Sequence, residues 1–398
     1  MREVTIFFLF SLFVTNCQIP NNKDRDKIVT FDLKKLPKVS TVRLSELGFV
    51  DIEYIPLETT EQSLIHRNFN MSNLGDRIIF GDKSFILKQA NSILKFKNDG
   101  SFIAKIGTVG RGPDEFQVCN DMEVDEKGQI YIVDAWKKKF FVYSGSGEFI
   151  KTITFPLYGS VEYRYVESMF LCYNQNNLGN VENSFNLIDT GGKIIKSFPN
   201  KYPFKMYKDA YGYLHENLFY QFNNRLFKKE VYSDTIYAFE NMTFKPHLVI
   251  DVGEKLITPK ARSEFAGMDL AKNYITPRNL FEFGNYVYYE FSYNFVFPNS
   301  ETYGFIGSKK NNSQVLIDPE QGIINDLDGG LNVFPLTIKD DNTIIGWVEA
   351  IKLKTHVASE RFKNSNPKYP EKKQELERLA NSLKETDNPV LMMVRLKK

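Results

Sequence analysis

SILKFKNDGSFIAKIG at residues 92–107, KFFVYSGSGEFIKTIT at 139–154 and SFNLIDTGGKIIKSF at 184–198 are three renderings of one pattern. In each, a short apolar run enters a polar turn closed by glycine, and an alternating run carrying lysine follows. Gly100, Gly147 and Gly192 stand where positive φ costs little, so each copy reads as a β-hairpin. The glycines lie 47 and 45 residues apart. Upstream, LGDRIIFGD and EKGQIYIVD place a turn and a strand before Asp82 and Asp134, so each unit holds about four strands. Four strands cannot bury both faces alone, and units of this length gain stability by packing radially as blades around a channel.

The remaining chain keeps this texture. GYLHENLFYQFNNRLFKKEVYSDTIYAFE (212–240), NLFEFGNYVYYEFSYNFVF (279–297) with TYGFIGSKKNNSQVLID (302–318), and NVFPLTIKDDNTIIGWVEAIK (332–352) supply the later units. With the three clear repeats they predict an all-β fold, a six-bladed β-propeller of four-stranded antiparallel blades over residues 41–398. A ring leaves a seam with exposed strand edges unless the chain ends close it. FVDIEYIPLE (49–58) and NPVLMMVRLK (388–397) are strand-like, and they are expected to share one blade. Leu376, Leu379 and Leu383 recur at helical spacing within 372–386, the one helix the pattern predicts, with Pro389 limiting it.

The 398 residues are 42% hydrophobic and 25% charged, with 51 Lys+Arg against 49 Asp+Glu. This balance argues against a disordered chain and against a basic nucleic-acid binder. Aromatic residues, 14% of the chain, favour pleated surfaces.

Residues 1–17 carry Arg2 ahead of an apolar run, Val4 to Val14, too short to span a bilayer, and read as a secretory signal. Its end, LFVTNC, resembles the lipobox of bacterial lipoproteins, in which the cysteine is acylated. That resemblance implies lipidation of Cys17 and attachment to a membrane through acyl chains, although Asn16 departs from the usual small residue. Residues 18–40 read as a polar tether. Cys119 and Cys172 could pair in an oxidising compartment, and two buried free thiols are the other reading.

EYIPLETT (53–60), KIGTVGRGPDEF (105–116) with DMEVDEKGQIYIVD (121–134), SDTIYAF (233–239), NDLDGG (325–330) and the C-terminal NPVLMMVRLK together resemble the six-bladed β-propeller lipoproteins of Bacteroidetes, related to NHL-repeat propellers. The likeness runs through nearly all of the mature chain, with Asp114 where members usually show glycine. It implies an envelope location, outer membrane and facing the periplasm or the outside, more than it implies a reaction.

Candidate chemistry is sparse. The loop GTVGRGPDEF offers backbone N–H groups and Arg111 to an anion, but lacks a GK[ST] ending; a tight connection with Glu115 satisfying local N–H groups is the simpler reading. Arg111, Asp114 and Glu115 are the residues it offers to a ligand or partner. NDLDGG resembles the opening of a calcium loop without the terminal acid, and reads as a turn. His66, His215, His247 and His356 show no metal-ligand spacing, and no G-x-S-x-G is present. Asp82 and Asp134 read as blade-building acceptors. Tyr163, Tyr165, Tyr286, Tyr288, Tyr289 and Tyr293 are candidates for stacking on sugars or, more simply, for filling blade interfaces. The sequence thus predicts a lipid-anchored binding or scaffolding module for a protein, peptide or glycan, with no cofactor and no nucleic acid. The alternative is a calcium- or zinc-dependent hydrolase or lyase at the channel, marked by three or more ligand side chains converging there.

Overall fold

The computed structural model describes residues 28–66, 76–157, 160–207, 212–213, 215–296 and 299–397. The expected signal, Cys17 and the first part of the tether lie outside the described residues.

The protein is mostly β, in six sheets among the described residues. The first joins Arg77–Phe80, Ser84–Gln89, Ser92–Lys97 and Phe102–Lys105 in chain order. The second joins Asp121–Val124, Ile130–Asp134, Lys139–Tyr143 and Phe149–Thr154, and the third Ser160–Val166, Met169–Asn174, Asn183–Asp189 and Ile194–Pro199. Asn217–Phe222, Arg225–Glu230, Thr235–Glu240 and Thr243–Asp251 form the fourth; Thr276–Phe283, Tyr286–Val296, Asn299–Ser308 and Gln314–Ile317 form the fifth. The sixth takes Thr337–Asp340, Thr343–Val348 and Val390–Leu396 from late in the chain and Phe49–Pro56 from its start. The expected sharing of one sheet by the two chain ends is therefore present, as an antiparallel ladder from Phe49↔Leu396 to Pro56↔Val390.

The repeat read from the sequence is the third-and-fourth-strand hairpin of the first three sheets. Each turn closes with the same bond, from Gly100 N to Lys97 O, Gly147 N to Ser144 O and Gly192 N to Asp189 O, all 2.9 Å. The glycines have φ of 89°, 93° and 88°. Asp82 and Asp134 are not equivalent, however. Asp134 ends a second strand and is fully buried, whereas Asp82 follows a first strand and is exposed. The apolar strand text of the first and second strands is similar enough to shift the alignment by one strand.

Apolar side chains from both faces of each sheet fill the spaces between neighbours. Ile86 and Ile93 of the first sheet pack with Ile132 and Phe141 of the second, and Phe140 of the second with Phe170 of the third. Leu171 of the third meets Leu226 of the fourth, and one continuous cluster joins the fourth, fifth and sixth. Phe85 and Leu94 of the first sheet pack with Leu391 and Met393 of the sixth. The turns repeat this order at the periphery. A Cβ on Gly192 would overlap the carbonyl oxygen of Thr154, at the end of the second sheet's outer strand, and one on Gly100 would overlap that of Pro56, at the end of the sixth sheet's. On Gly147 it would come within 2.9 Å of Ile106 Cδ1, just past the first sheet's outer strand.

Two expectations need correction. The helix expected alone near the C-terminus runs over Pro370–Ser382 and is accompanied by Ala350–Ala358 and Glu360–Lys363, which with it form an insertion between the second and third strands of the sixth sheet. Two short helices, Pro259–Glu264 and Gly267–Asn273, lie between the fourth and fifth sheets. These are short and carry few periodic apolar residues, so helical spacing did not reveal them. The tether does not extend to residue 40: Val29–Asp32 is a strand parallel to Leu248–Asp251, and Phe31 and Leu33 are buried in the core. Cys119 and Cys172 are buried free thiols.

Replacing a turn glycine by alanine adds the strain of a left-handed L-residue in every case, but only at Gly192 and Gly100 does the new methyl meet backbone. Gly192→Ala is expected to cost roughly 2–3 kcal/mol and Gly147→Ala about 1 kcal/mol, because the Ile106 side chain can yield. Chemical denaturation of the two variants checks the order; equal losses would contradict the turn-on-strand packing.

Candidate functional site

The first strand of every sheet contributes to the lining of one cavity of about 700 Å³. Strand alternation sends one set of side chains from these inner strands into the cavity and the other between sheets. Arg77, Asp121, Glu162, Arg164, Asn217, Phe219, Arg278 and Lys339 line it, with His215 and Asn120 from the connections between sheets.

On one side of the cavity three carboxylates and two guanidiniums interlock. Arg77 Nη1 lies 2.6 Å from Glu123 Oε1 and 3.1 Å from Asp121 Oδ1, and donates to the Met122 carbonyl at 2.7 Å. Arg164 Nη1 reaches Asp121 Oδ2 at 2.7 Å, and its Nη2 stands 3.8 Å from Glu162 Oε2. Asp121 also accepts the backbone N–H groups of Met122 and Tyr163, both at 2.9 Å. Burial works to raise the Asp121 carboxyl, but Arg164 and Arg77 outweigh it and hold it below the usual carboxylate range. Burial prevails at Glu123, which is raised, and at Glu162, pushed up to about 7. The Arg164 guanidinium sits 5.2 Å from the Phe219 ring centroid, leaving an aromatic platform beside the charges.

Convergence of three carboxylates is what a metal or acid–base site requires, yet here each faces a guanidinium. Among the described residues no group of three or more His, Cys, Asp or Glu side chains is disposed to hold a metal ion. The histidines remain apart. His247 Nε2 lies 2.7 Å from Glu282 Oε1 between the fourth and fifth sheets, where Lys309 and Tyr220 share the same carboxylate. His356 Nε2 meets the Gly329 carbonyl at 2.9 Å, and His66 is exposed.

The loop at 107–116 does not reach the cavity. Its Glu115 carboxylate accepts the Gly112 N–H at 2.8 Å and occupies the space that a side chain at Gly110 would need. These glycines therefore make room for an internal acid, as the structural reading of the sequence expected, rather than for a phosphate. Arg111 and Asp114 are exposed. Lys137 Nζ bonds the Glu115 carbonyl at 2.9 Å, which brings the loop beside the turn carrying Trp136. Asp134 fixes the same corner by accepting from the N–H groups of Gln117, Val118 and Lys137. In NDLDGG, Asn325 Nδ2 donates to Asp328 Oδ1 at 2.6 Å and to Tyr54 at 3.2 Å, and Asp328 accepts from Gly330 N at 2.8 Å, so this is a buried turn. Tyr163, Tyr288 and Tyr289 are buried between sheets, and Tyr165, Tyr286 and Tyr293 are half-buried.

Sequence reading missed Arg77, Asp121, Glu123, Glu162 and Arg164. Arg77 and Asp121 open inner strands and Glu162 and Arg164 alternate along one, a polar pattern within strands otherwise apolar that could have marked a channel wall.

The chain belongs to the family described as Domain of unknown function (DUF4934), whose model matches residues 28–395. No curated protein matches it. In structure it is similar to a Bacteroides fragilis NCTC 9343 protein described as exported, at 18% identity and TM-score 0.67 over 94% of this chain and 100% of the other. A DUF4221 member from Bacteroides vulgatus ATCC 8482 superposes at 11% identity and TM-score 0.52, over 88% and 98% of the two chains. A virginiamycin B lyase from Staphylococcus aureus has 12% identity and TM-score 0.38 over 87% and 100%, a likeness that lends no chemistry to this chain. No helix among the described residues is long and apolar enough to cross a membrane.

The raised Glu162 carboxyl has a signed consequence. Between its ordinary value of 4.5 and about 7 the folded protein holds a proton that the unfolded chain releases, so this group's contribution falls as pH rises through that window. Glu162→Gln, which cannot ionise, is expected to be more stable relative to wild type at pH 8 than at pH 5, by up to roughly 3 kcal/mol. Thermal melts of both proteins at the two pH values test it; a pH-independent difference would refute it.

Proposed function

We propose that this chain is an exported six-bladed propeller, closed by its paired terminal strands and anchored to the cell envelope by lipid on Cys17, that binds a protein, peptide or glycan on one face of the disc. The clusters joining each sheet to the next, and the sixth to the first, support the ring. Similarity to a protein described as exported supports the location, and the lipobox-like LFVTNC supports the anchor.

One observation carries the binding reading. The connections between sheets and the turns between second and third strands emerge on one side of the sheets, and that side holds most exposed large apolar side chains. Trp136 is 76% exposed there, and Leu64, Leu178, Met268, Phe334 and Ile351 stand on the same side. Arg111 and Asp114 are exposed on the 107–116 loop, which Lys137 ties to the turn carrying Trp136. Exposed aromatic and aliphatic side chains on a loop-built side, among charged residues, match the composition of an interaction surface.

Affinity purification of the acylated protein from native membranes should recover a partner, and Trp136→Ala with Ile351→Ser should weaken its retention by about tenfold or more. Mass spectrometry of the same material should show acyl chains on Cys17. Recovery of no partner together with a stoichiometric metal ion would sink the binding reading.

A further inference from the structure

The six outer strands fall into two groups. On the fourth sheet, Val29–Asp32 lies parallel to the outer strand, and beneath it Leu248 and Ile250 are 1% and 0% exposed. The chain then bridges Val39 to Leu316 on the outer strand of the fifth sheet, bonding Ser40 N to the Leu316 carbonyl at 2.8 Å, and becomes the outer strand of the sixth. The outer strands of the first three sheets carry no such cover among the described residues.

There the sequence repeat leaves a repeated apolar side chain in solvent. Ile103, Ile150 and Ile195, each third after its turn glycine, are 42%, 44% and 46% exposed. In the second and third sheets an exposed neighbour, Phe149 or Ile194, doubles the apolar surface. Lys151, Lys193 and Lys196 are exposed on the same two strands or their turns. An edge strand of this kind presents a row of unpaired backbone groups, with side chains able to close over an added strand.

We propose that the outer edges of the second and third sheets take up an extended segment of a partner protein as an added strand, one in which apolar and acidic residues alternate. The chain's own Val29–Asp32, Val-Thr-Phe-Asp, shows the mode on the neighbouring sheet. There Phe31 is 1% exposed, and Asp32 caps the Lys34 N–H at 2.9 Å as the segment leaves the edge. Charge selects the occupant. The exposed lysines of these two strands and their turns, Lys151, Lys193 and Lys196, outnumber the one exposed acid, Glu148, so an acidic strand meets net opposite charge whereas a second copy meets net like charge. This site lies on the rim, apart from the face that carries Trp136, so it stands or falls independently of that face.

The test uses the full chain and a labelled eight-residue peptide with the sequence of residues 27–34 but glutamate in place of Lys27 and Lys34. Fluorescence anisotropy should show saturable binding, weakened at least tenfold in the Ile150→Lys, Ile195→Lys double variant and weakened by raised salt. Both positions are exposed, so the variant should melt at the wild-type temperature, which confirms that lost binding is not lost folding. A peptide with lysine at the two glutamate positions should bind more weakly. No saturable binding, or equal binding by the double variant, overturns the proposal. It is also overturned if the same substitutions abolish binding to anionic phospholipid vesicles while the peptide binds neither protein, which would make the rim a lipid contact.

Discussion

The eight residues of Phe49–Pro56 and the seven of Val390–Leu396 are paired along their length, and the order of the other sheets depends on that ladder. The C-terminal strand is buried throughout its first five residues, with Thr343–Val348 on one side and the N-terminal strand on the other. Remove the N-terminal strand, and Ile52 and Ile55 leave the core while the C-terminal strand becomes an edge. Charges at the periphery fix the register. Asp51 accepts from Arg395 at 2.7 Å and from Lys372 at 2.5 Å, and Glu53 also pairs with Arg395. The pairing joins residues more than three hundred positions apart, so it carries the loop-closure cost of the whole intervening chain.

A second constraint ties the helical insertion to the same strand. The NDLDGG turn receives Ser45 on Asp326 and the backbone N–H groups of Lys368 and Tyr369 on the carbonyls of Asp326 and Leu327, and its Asn325 donates to the Tyr54 hydroxyl. A Cβ at Gly330 would overlap the Tyr54 hydroxyl and stand 2.8 Å from Leu376 of the long helix, so only glycine lets strand, turn and helix meet. Asp328, fully buried, has its carboxyl raised by desolvation, a cost that the donors from Gly330 and Asn325 reduce. What resembled a fragment of a calcium loop is thus the joint holding 350–382 against the sheet that unites the chain ends.

Legibility in the sequence followed turn chemistry. The first three sheets announced themselves because their third turns use Gly100, Gly147 and Gly192. The fourth and fifth place Asn241, Met242 and Asn312 at positive φ instead, so the same backbone is written without the letter that marks it. Terminal pairing was legible because both strands are apolar runs at opposite ends of the folded region. The cavity was not, because its charged residues come from separate inner strands, and only the packing of the first three sheets brings Arg77, Asp121, Glu162 and Arg164 together. Glycines in the 107–116 loop suggested an anion cradle; which group they admit is decided by Glu115, three residues from Gly112, and that is a matter of side-chain direction rather than spacing.

Interior and periphery follow opposite rules, and this bears on where specificity resides. In the cavity wall, the two guanidiniums pair with the carboxylates, and backbone bonds to Asp121 add to the restraint. On the side where the connections emerge, Trp136 and Ile351 are 76% and 45% exposed and keep apolar surface that water solvates poorly. A charge-paired wall beneath loop-built connections thus separates what the packing fixes from what it leaves free, because connections of a repeat architecture can diverge without disturbing the packing between sheets.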